Sequence, residues 1–529
     1  MGAYLNPGKE RFKRAVENEI YVDKSGIIAL INRTICNSEG YICMTRPRRF
    51  GKTITANMLA AYYDNSCDAH DLFDGLEIAK CPSYEKHLNQ YNVFQIDVQG
   101  MLDTVGKDDF ERKFELKLIH DVHEKWPDLV SNDETDLFTA LFSVYKKTHA
   151  LFVFIFDEWD CIARNFKDDK TAQMNWIVFL RKLFKNGPSE LYTALVYLTG
   201  ILPIRKYGSQ SALGHFKEYS IVSPLRFSPW VGFTEVDVKT LSNKYDMDFD
   251  EMKYWYDGYL ARGDHIYNPN SVVTACMNGE CGMYWTKTES FESLRHFISA
   301  NFNHLKERII QMLNGEFVEV DVNSFNNSMY DLNSANDVIN LLIHIGYLGY
   351  DKETETAFIP NEEVRRLFQS AVSDCGWDEV ERSIRLSERF MQSLLAMDAD
   401  AVAQILDRIH AECCSVLQYN DENSLSSAIG FAAYTARRDY TLIREMPAGR
   451  GFTDIVMIPR PNRHKPGILV ELKWNKNCET AIDQIYKKNY PKGLESYKDN
   501  LILVAVNYDK NGNGSHSCKI VKYEYEGEN

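Results

Sequence analysis

The chain has 529 residues, of which 44% are apolar and 26% charged, and its formal net charge at pH 7 is −15. This length exceeds what one hydrophobic core usually supports, so we expect two to four domains. The composition excludes a disordered, collagen-like or coiled-coil protein, and the acidic charge excludes a protein coated along its whole length by nucleic acid. Residues 420–529 carry 16 Lys and Arg against 14 Asp and Glu, a charge of +2 that leaves −17 elsewhere, so nucleic-acid contact is expected at the C-terminal end.

The twelve cysteines are scattered, without the paired CxxC sets or Cys/His spacings that are typical of zinc sites. The N-terminus lacks the apolar segment of a signal peptide, and apolar runs such as Leu151–Phe156 and Leu501–Val506 are too short to cross a bilayer. We therefore predict a cytoplasmic protein with free thiols and no membrane partner.

About the first 230 residues alternate short apolar runs with amphipathic stretches, a pattern that predicts an α/β domain with a parallel sheet. The predicted strands are Gly40–Met44, Val93–Val98, Leu151–Phe156 and Leu195–Leu198, and the predicted helices include Thr53–Tyr63 and Phe110–Lys125.

The segment RPRRFGKT, from Arg46 to Thr53, follows the first strand and opens a helix, as a Walker A loop does. Gly51 belongs to its turn, Lys52 is expected to reach the β- and γ-phosphates of ATP, and Thr53 to bind Mg²⁺. The first glycine of the Walker A pattern is replaced by Arg46, so a chance Gly-Lys-Thr at a helix start stays an alternative for the segment alone.

A second segment strengthens the nucleotide interpretation. The strand Leu151–Phe156 ends in Asp157 and Glu158, a Walker B form that delivers two carboxylates to the sheet edge where nucleotides bind. We predict that Asp157 holds Mg²⁺, that Glu158 activates the attacking water, and that Thr199, at the end of another strand, senses the γ-phosphate.

Three arginines crowd the Walker A segment: Arg46, Arg48 and Arg49. They could neutralise phosphate charge, with Arg46 and Arg49 as nucleotide-binding residues, or one could act in trans on a neighbouring subunit. Pairing with local acids is an equally strong alternative in an acidic domain.

Residues 233–420 read as mostly helical, and the apolar helix Val338–Ile345 followed by Gly346 and a short strand predicts a winged-helix or lid element. The last stretch is α/β again. A helix at Leu425–Ala436 precedes strands around Thr441–Arg444, Asp454–Ile458, Gly467–Lys473 and Leu501–Val506.

The C-terminal strands carry the second set of candidate residues. Asp454, Glu471 and Lys473 follow the spacing D-x16-E-x-K, and the two-residue period of a strand places Glu471 and Lys473 on one face. This is the PD-(D/E)xK arrangement, in which two carboxylates bind Mg²⁺ or Mn²⁺ and the lysine activates water for attack on a phosphodiester. Structural salt bridges are the alternative.

Further candidates flank this set. Glu422 begins the preceding helix and is a candidate additional metal ligand, with Glu445 as its rival for that role. Gln484, Lys487, Lys488 and Tyr490 follow the last motif strand and are predicted to hold the backbone of DNA.

With these residues, the sequence resembles a bacterial family of AAA-ATPase-like proteins that carry a C-terminal PD-(D/E)xK nuclease domain. The matching segments run in order along nearly the whole chain: Tyr21–Lys24, Thr45–Thr53, Thr199–Ile204, Gly232–Thr234, Trp255–Tyr259, Tyr267–Pro269, Tyr284–Thr286, Ile359–Glu363, Gly449–Gly451, Asp454, Val470–Lys473 and Gln484. The resemblance implies that Arg46 is a family trait. It assigns no chemistry to Trp255–Tyr259, for which packing is the favoured interpretation.

The sequence therefore predicts an α/β chain with an AAA-like P-loop ATPase domain at 1–232, a helical lid or winged-helix region at 233–420 and a PD-(D/E)xK nuclease-like domain at 421–529. The predicted function is ATP hydrolysis coupled to Mg²⁺-dependent DNA cleavage in defence or mobile-element biology, in a chain that forms homo-oligomers. The alternative is a nucleotide-controlled sensor whose C-terminal domain binds nucleic acid without cleaving it.

Overall fold

The structure is a computed structural model. It describes residues 2–166, 168–185, 187–204, 213–261, 263–285, 290–299, 302–313, 315–325, 332–374, 378–413, 422–448, 451–460, 465–497, 500–511 and 514–523. The chain forms two compact units: the first comprises Met1–Leu305 and Glu319–Leu367, and the second comprises Lys306–Val318 and Phe368–Asn529.

The first unit is built around a five-stranded parallel sheet. Its strands are Tyr41–Thr45 (β1), Asn92–Asp97 (β2), Phe152–Asp157 (β3), Thr193–Gly200 (β4) and Lys217–Tyr219 (β5). The spatial order is β2-β3-β4-β1-β5, so β4 lies between the two strands that carry the nucleotide motifs. All residues of β1 and β3 are buried, which explains their continuous apolar sequences.

Helices cover both faces of this sheet. They are Glu10–Val16 (α1), Gly26–Ile31 (α2), Lys52–Tyr63 (α3), His70–Phe73 (α4), Tyr84–His87 (α5), Val98–Val105 (α6), Phe110–Lys125 (α7), Leu137–Thr148 (α8), Cys161–Asn165 (α9), Lys170–Phe184 (α10) and Ser189–Tyr192 (α11), with 3-10 helices at Glu77–Lys80 and Leu225–Trp230. Alternate residues of β3 enter two separate apolar clusters, Phe154 and Phe156 in one, Val153 and Ile155 in the other. The two clusters are the cores on the two faces of the sheet.

The middle of the chain is mostly helical, with two small three-stranded sheets ordered β6-β8-β7 and β10-β11-β9. Its elements are Phe233–Thr234 (β6), Glu235–Lys244 (α12), Phe249–Tyr256 (α13), Tyr259–Ala261 (β7), Asp264–Tyr267 (β8), Pro269–Asn278 (α14), Ser290–Ile298 (α15), Leu305–Leu313 (α16), Val318–Glu319 (β9), Ala335–His344 (α17), Gly349–Asp351 (β10), Thr356–Phe358 (β11) and Glu362–Asp374 (α18). The helix α17 and the antiparallel hairpin β10–β11 follow the order expected of a winged-helix element.

The second unit contains a mixed five-stranded sheet of order β12-β13-β14-β15-β16. Its main elements are Asp378–Leu395 (α19), Ala399–Cys413 (α20), Glu422–Ala432 (α21), Tyr440–Ala448 (β12), Gly451–Pro459 (β13), Gly467–Trp474 (β14), Cys478–Lys487 (α22), Leu501–Asp509 (β15) and Ser515–Lys522 (β16), with 3-10 helices at Tyr434–Arg438 and Tyr490–Tyr497. Only β14 and β15 run parallel. Helices α19, α20 and α21 pack on one face of the sheet and α22 on the other.

These elements confirm the predicted fold class, an α/β chain with a parallel sheet at its N-terminal end, a helical middle region and a C-terminal α/β domain. The predicted strands correspond to β1–β4 and β12–β15, whereas β5 and β16 were not predicted. The bounds proposed for the three domains stay predictions. Among the described residues, no helix is long and apolar enough to cross a membrane.

Candidate functional site

The loop of residues 46–51, here called the phosphate loop, joins β1 to α3 at the carboxyl edge of the parallel sheet. Gly51 stands immediately before α3 with φ +83°, a left-handed conformation that residues with a side chain adopt at an energetic cost. A Cβ atom there would contact nothing within 4 Å, so the requirement for glycine is conformational and not one of space. Gly51 ends the phosphate loop at the N-terminus of α3, the end of a helix at which backbone N–H groups have no intrahelical partner.

Three of the predicted nucleotide residues meet at this helix start. The Lys52 ammonium is buried and donates to the Pro47 carbonyl at 2.9 Å, and burial lowers its pKa. The Thr53 hydroxyl donates to Oδ2 of Asp157 at 2.6 Å, although the two residues are 104 positions apart. Burial, reinforced by the charge of Glu158, raises the pKa of Asp157 to about 6. A hydroxyl and a carboxylate in contact are a pair of hard oxygen ligands.

Thr199 lies beside Asp157 in the parallel ladder between β3 and β4. Its side chain is fully buried, and its hydroxyl has no hydrogen-bond partner among the described residues. The ladder position therefore brings the predicted sensor next to the predicted magnesium ligand, while its contact with a nucleotide stays a prediction.

The three arginines of the phosphate loop have different surroundings. Arg46 is buried, donates to the carbonyls of Thr45 and Tyr219, and has its pKa lowered to about 10 by burial. Its hydrogen bonds tie β1 to β5, and a role in nucleotide binding stays a prediction. Arg48 and Arg49 instead line a cavity at the phosphate loop.

That cavity has a volume of about 1020 Å³, large enough for a nucleotide. Its polar lining includes Lys52, Thr53 and Glu158. Its apolar lining includes residues from three separate stretches of the first unit: Ile20, Tyr21 and Val22; Trp230 and Phe233; and Pro269 and Val273. A phosphate-binding helix start next to an apolar wall is the arrangement that a nucleotide needs for its triphosphate and its base.

The middle region supports the phosphate loop through residues to which the sequence assigned no chemistry. Arg49 donates to the Tyr284 carbonyl at 3.0 Å. The buried Glu363 carboxylate accepts from the backbone N–H groups of Tyr284 and Trp285, both at 2.6 Å, and from the Ser271 hydroxyl at 2.8 Å. Glu363 therefore fixes the backbone that receives Arg49. Only the membership of Tyr284, Trp285 and Glu363 in the resemblance segments marked them beforehand.

The C-terminal candidates lie on one face of the mixed sheet. Val456 on β13 and Leu469 on β14 belong to the apolar cluster that contains α22, and the two-residue period places Asp454, Glu471 and Lys473 on that same face. Oδ2 of Asp454 accepts the backbone N–H of Leu472 at 2.6 Å, which holds it beside Glu471. Burial, reinforced by the charge of Asp454, raises the pKa of Glu471 to about 7.

The two carboxylate oxygens of Glu471 differ in their hydrogen-bond partners. Oε1 accepts from the Lys473 ammonium at 3.0 Å and from the Gln484 amide. Oε2 is buried and has no hydrogen-bond partner within the described ranges. A buried carboxylate oxygen without a partner is costly, so this atom is available to a cation.

The four residues predicted to bind nucleic acid occupy different positions. Gln484 faces Glu471, and its amide also contacts the hydroxyl of Tyr490 at 3.3 Å; Tyr490 itself is fully buried and supports Gln484 rather than presenting a surface. The Lys488 ammonium lies 5.7 Å from the centre of the Tyr490 ring, and Lys487 is exposed. A contact of Lys487 and Lys488 with a DNA backbone stays a prediction.

The choice between the two additional acidic candidates stays open. Helix α21 begins at Glu422, whose side chain lies outside the described residues, as do Thr286, Gly449 and Arg450 of the resemblance segments. Glu445 is exposed on β12 with φ +49°, between two residues that pair with the neighbours of Asp454 on β13. In the described part of the chain, no three His, Cys, Asp or Glu residues form a metal-binding cluster.

Fold and sites together define a P-loop nucleotide-binding domain followed by a mixed-sheet domain with a D…ExK site. Residues 8–209 match the family described as predicted AAA-ATPase, and residues 422–514 match the PD-(D/E)XK nuclease superfamily. The chain therefore carries an AAA-ATPase-like domain and a C-terminal PD-(D/E)XK nuclease superfamily domain, which confirms the resemblance predicted from the sequence.

The chain is also similar to single proteins. It is 24% identical over 294 residues to an uncharacterized protein in the vnfD 5′ region of Azotobacter chroococcum mcd 1, and the match spans 52% of each chain, about half of that relative. Among solved structures, an Aeropyrum pernix ORC2 protein in ADPNP and ADP complexes aligns with a TM-score of 0.33 at 11% identity, over 70% of this chain and 98% of its own. Cdc6p from Pyrobaculum aerophilum aligns with a TM-score of 0.25 at 11% identity, over 72% and 100%. TM-scores this low support no functional inference.

Proposed function

We propose that this chain binds and hydrolyses ATP with Mg²⁺ at the phosphate loop and cleaves DNA with a divalent cation at its C-terminal domain. The observation that carries the nuclease part is the convergence of Asp454, Glu471, Lys473 and Gln484 on one sheet face, where the buried Glu471 Oε2 has no partner among the described residues. Structural salt bridges would satisfy both carboxylate oxygens, whereas a metal ligand must keep one for the ion.

At the first site, the donor set fits Mg²⁺, because Thr53 and Asp157 place a hydroxyl and a carboxylate oxygen 2.6 Å apart. Bound there, the ion would neutralise charge on the β- and γ-phosphates. Lys52 and the α3 N-terminus hold the phosphates, and Glu158, which lines the same cavity, accepts a proton from the attacking water. The apolar wall excludes water from the base.

At the second site, Asp454 and Glu471 would hold Mg²⁺ or Mn²⁺, with the remaining positions left to water and the phosphodiester, and the ion would polarise the scissile phosphate. Lys473 orients the attacking water, since its ammonium is fixed 3.0 Å from Glu471. Gln484 holds Glu471 from the other side, and Lys487 and Lys488 contact the DNA backbone.

We place the protein in the cytosol, where the nine cysteines whose side chains are described, all free, would stay reduced. A homo-oligomer belongs to the same proposal, because ATPases of this kind can complete their sites with an arginine from a neighbouring subunit. A nuclease controlled by a nucleotide suits a defence or mobile-element role.

The test incubates purified protein with linear, nicked and single-stranded DNA, with and without ATP and Mg²⁺, and measures strand breaks and released phosphate. We expect cleavage that requires the metal, is abolished by a chelator and is absent from Glu471→Ala, whose ATP hydrolysis persists. ATP hydrolysis and metal-independent DNA binding without strand breaks would contradict the nuclease proposal and favour the nucleotide-controlled sensor.

A further inference from the structure

The short segment after β3 contains an arginine that the proposed chemistry does not yet use. Arg164 lies on α9, and its Nη2 forms an ion pair with Oε2 of Glu158. Its Nε lies 3.3 Å from Oδ2 of Asp160, so one guanidinium contacts two carboxylates. Only 11% of the Arg164 side chain is exposed, and the residue lines the same cavity as Lys52 and Thr53.

Glu158 needs such a partner because of its backbone. Its φ is +54°, a left-handed conformation that costs free energy for a residue with a side chain. The turn carries the chain from the buried strand into the cavity wall, and it leaves the Glu158 side chain at a bend rather than on a regular element. The ion pair with Arg164 therefore restricts the positions that this carboxylate can take.

The other end of the Arg164 contact is firmly held. Oδ2 of Asp160 accepts the backbone N–H groups of Ile201 and Leu202 at 3.1 and 2.8 Å, and Asp160 is almost fully buried. These N–H groups follow β4, the strand that contains Thr199. Asp160 therefore connects the guanidinium to the rigid parallel sheet, and the guanidinium connects that sheet to Glu158.

We propose that Arg164 is a positioning residue for ATP hydrolysis: anchored by Asp160, it fixes the Glu158 carboxylate toward the attacking water. In this step the water oxygen bonds to the γ-phosphorus, the bond from that phosphorus to the β–γ bridging oxygen breaks, and Glu158 takes the water proton as ADP and phosphate leave. A planar guanidinium serves two carboxylates in fixed directions, which a lysine ammonium does not. This inference rests on the proposed ATPase function.

The test is a double-mutant cycle on the full chain, with kcat and KM for MgATP measured for Arg164→Gln, Glu158→Gln and the double variant. We expect Arg164→Gln to lower kcat about 10- to 100-fold, part of the roughly 10²- to 10⁴-fold contribution of a general base, with little change in KM. In the Glu158→Gln background it should change kcat by less than about twofold, because the group it positions is gone. Arg164→Lys should recover part of the loss.

Arg181→Gln is the matched control, since Arg181 is exposed on α10 and should leave kcat unchanged. If Arg164→Gln fails to fold by circular dichroism, Asp160→Asn enters the same cycle, because it releases the anchor of Arg164. Equal losses in both backgrounds would overturn the proposal and make Arg164 merely structural. A wild-type or higher kcat in Arg164→Gln would overturn it as well. Full hydrolysis by Glu158→Gln alone would instead contradict the proposed role of Glu158.

Discussion

The carboxylates of the phosphate-loop site and those of the C-terminal site differ in their hydrogen-bond and ion-pair partners. At the phosphate loop, Asp157 accepts from the Thr53 hydroxyl and Glu158 is paired with Arg164. At the C-terminal site, Glu471 keeps one buried oxygen without a partner in the described part of the chain. Because a buried unpaired oxygen is costly, the proposed cation would complete the second site, whereas the first already has protein partners for its acids.

The lysines of the two sites show the complementary difference. Lys52 donates to a carbonyl, and burial lowers the pKa of its ammonium, so a phosphate would be a better partner than the one it has. Lys473 donates to a carboxylate at 3.0 Å. The first site thus favours an anionic ligand and the second a cationic one. We therefore expect substitutions of charged residues to impair different steps at the two sites.

Asp454→Asn should have the largest effect. The amide oxygen still accepts from the Leu472 N–H, so the strand pairing stays, but the negative charge that a divalent cation requires is lost. We expect strand cleavage to fall to background while ATP hydrolysis and thermal stability stay near wild type. Asp483→Asn, on the exposed side of α22, is the control. Undiminished cleavage by Asp454→Asn would break the comparison, because the site would then need no second carboxylate.

Glu158→Gln should affect hydrolysis and not binding. The amide cannot take a proton from water, so we expect kcat to fall about 10²- to 10⁴-fold. MgATP affinity, measured by calorimetry, should stay near wild type, since Lys52 and Thr53 are intact. A large loss of affinity in this variant would mean that Glu158 binds the nucleotide instead of activating water.

Lys52→Ala should affect binding. Removing a charged hydrogen bond to phosphate costs about 1.5–3 kcal/mol, which corresponds to roughly 10- to 100-fold weaker ATP binding. Calorimetry with ATP tests this, and Lys80→Ala, in the 3-10 helix Glu77–Lys80, is the control. If ATP changes the rate of DNA cleavage by the wild type but not by Lys52→Ala, the two sites communicate.

The sequence predicted most of the fold because the central strands have a recognisable local pattern. β3 and β15 are continuous apolar runs, as strands buried on both faces must be. β5 has only three residues, two of them exposed, and β16 is mostly half-exposed, so neither edge strand carries such a run. Short or half-exposed edge strands such as these two are defined by the neighbour that they pair with, which a local pattern does not contain.

The same reason separates the site residues that sequence found from those that it missed. Asp157 and Glu471 follow local strand patterns with known spacing. Glu363 acts on a backbone 78 and 79 positions away, and Asp160 on one 41 and 42 positions away. Arg164 is close to Glu158 in sequence, yet its function depends on the left-handed turn at Glu158, which no residue type in the segment signals.

Tyr259→Phe should have the smallest effect, and it tests how the middle region supports the phosphate loop. The buried Tyr259 hydroxyl donates to the Gly346 carbonyl at 2.7 Å, and its ring meets Phe50 of the loop edge-on at 5.2 Å between centroids. Gly346 packs against Pro47 so closely that a Cβ atom there would lie 2.5 Å from the Pro47 Cβ. The Tyr259 hydroxyl therefore supports Gly346, which packs against Pro47, while the Tyr259 ring supports Phe50.

Phenylalanine removes the first contact and keeps the second. We expect the free energy of unfolding to fall by about 1 kcal/mol, the usual worth of one hydrogen bond. ATP affinity should fall by no more than about fivefold, because the loop keeps the contact of Phe50 with the ring and the bond from Arg49 to Tyr284. Tyr245→Phe, whose hydroxyl makes only a 3.5 Å contact with the Glu19 carbonyl, is the control. A loss of affinity as large as that of Lys52→Ala would show that the loop depends on this single hydrogen bond for its shape. The bond from Tyr259 to Gly346 would then determine ATP binding instead of adding only a small stabilisation.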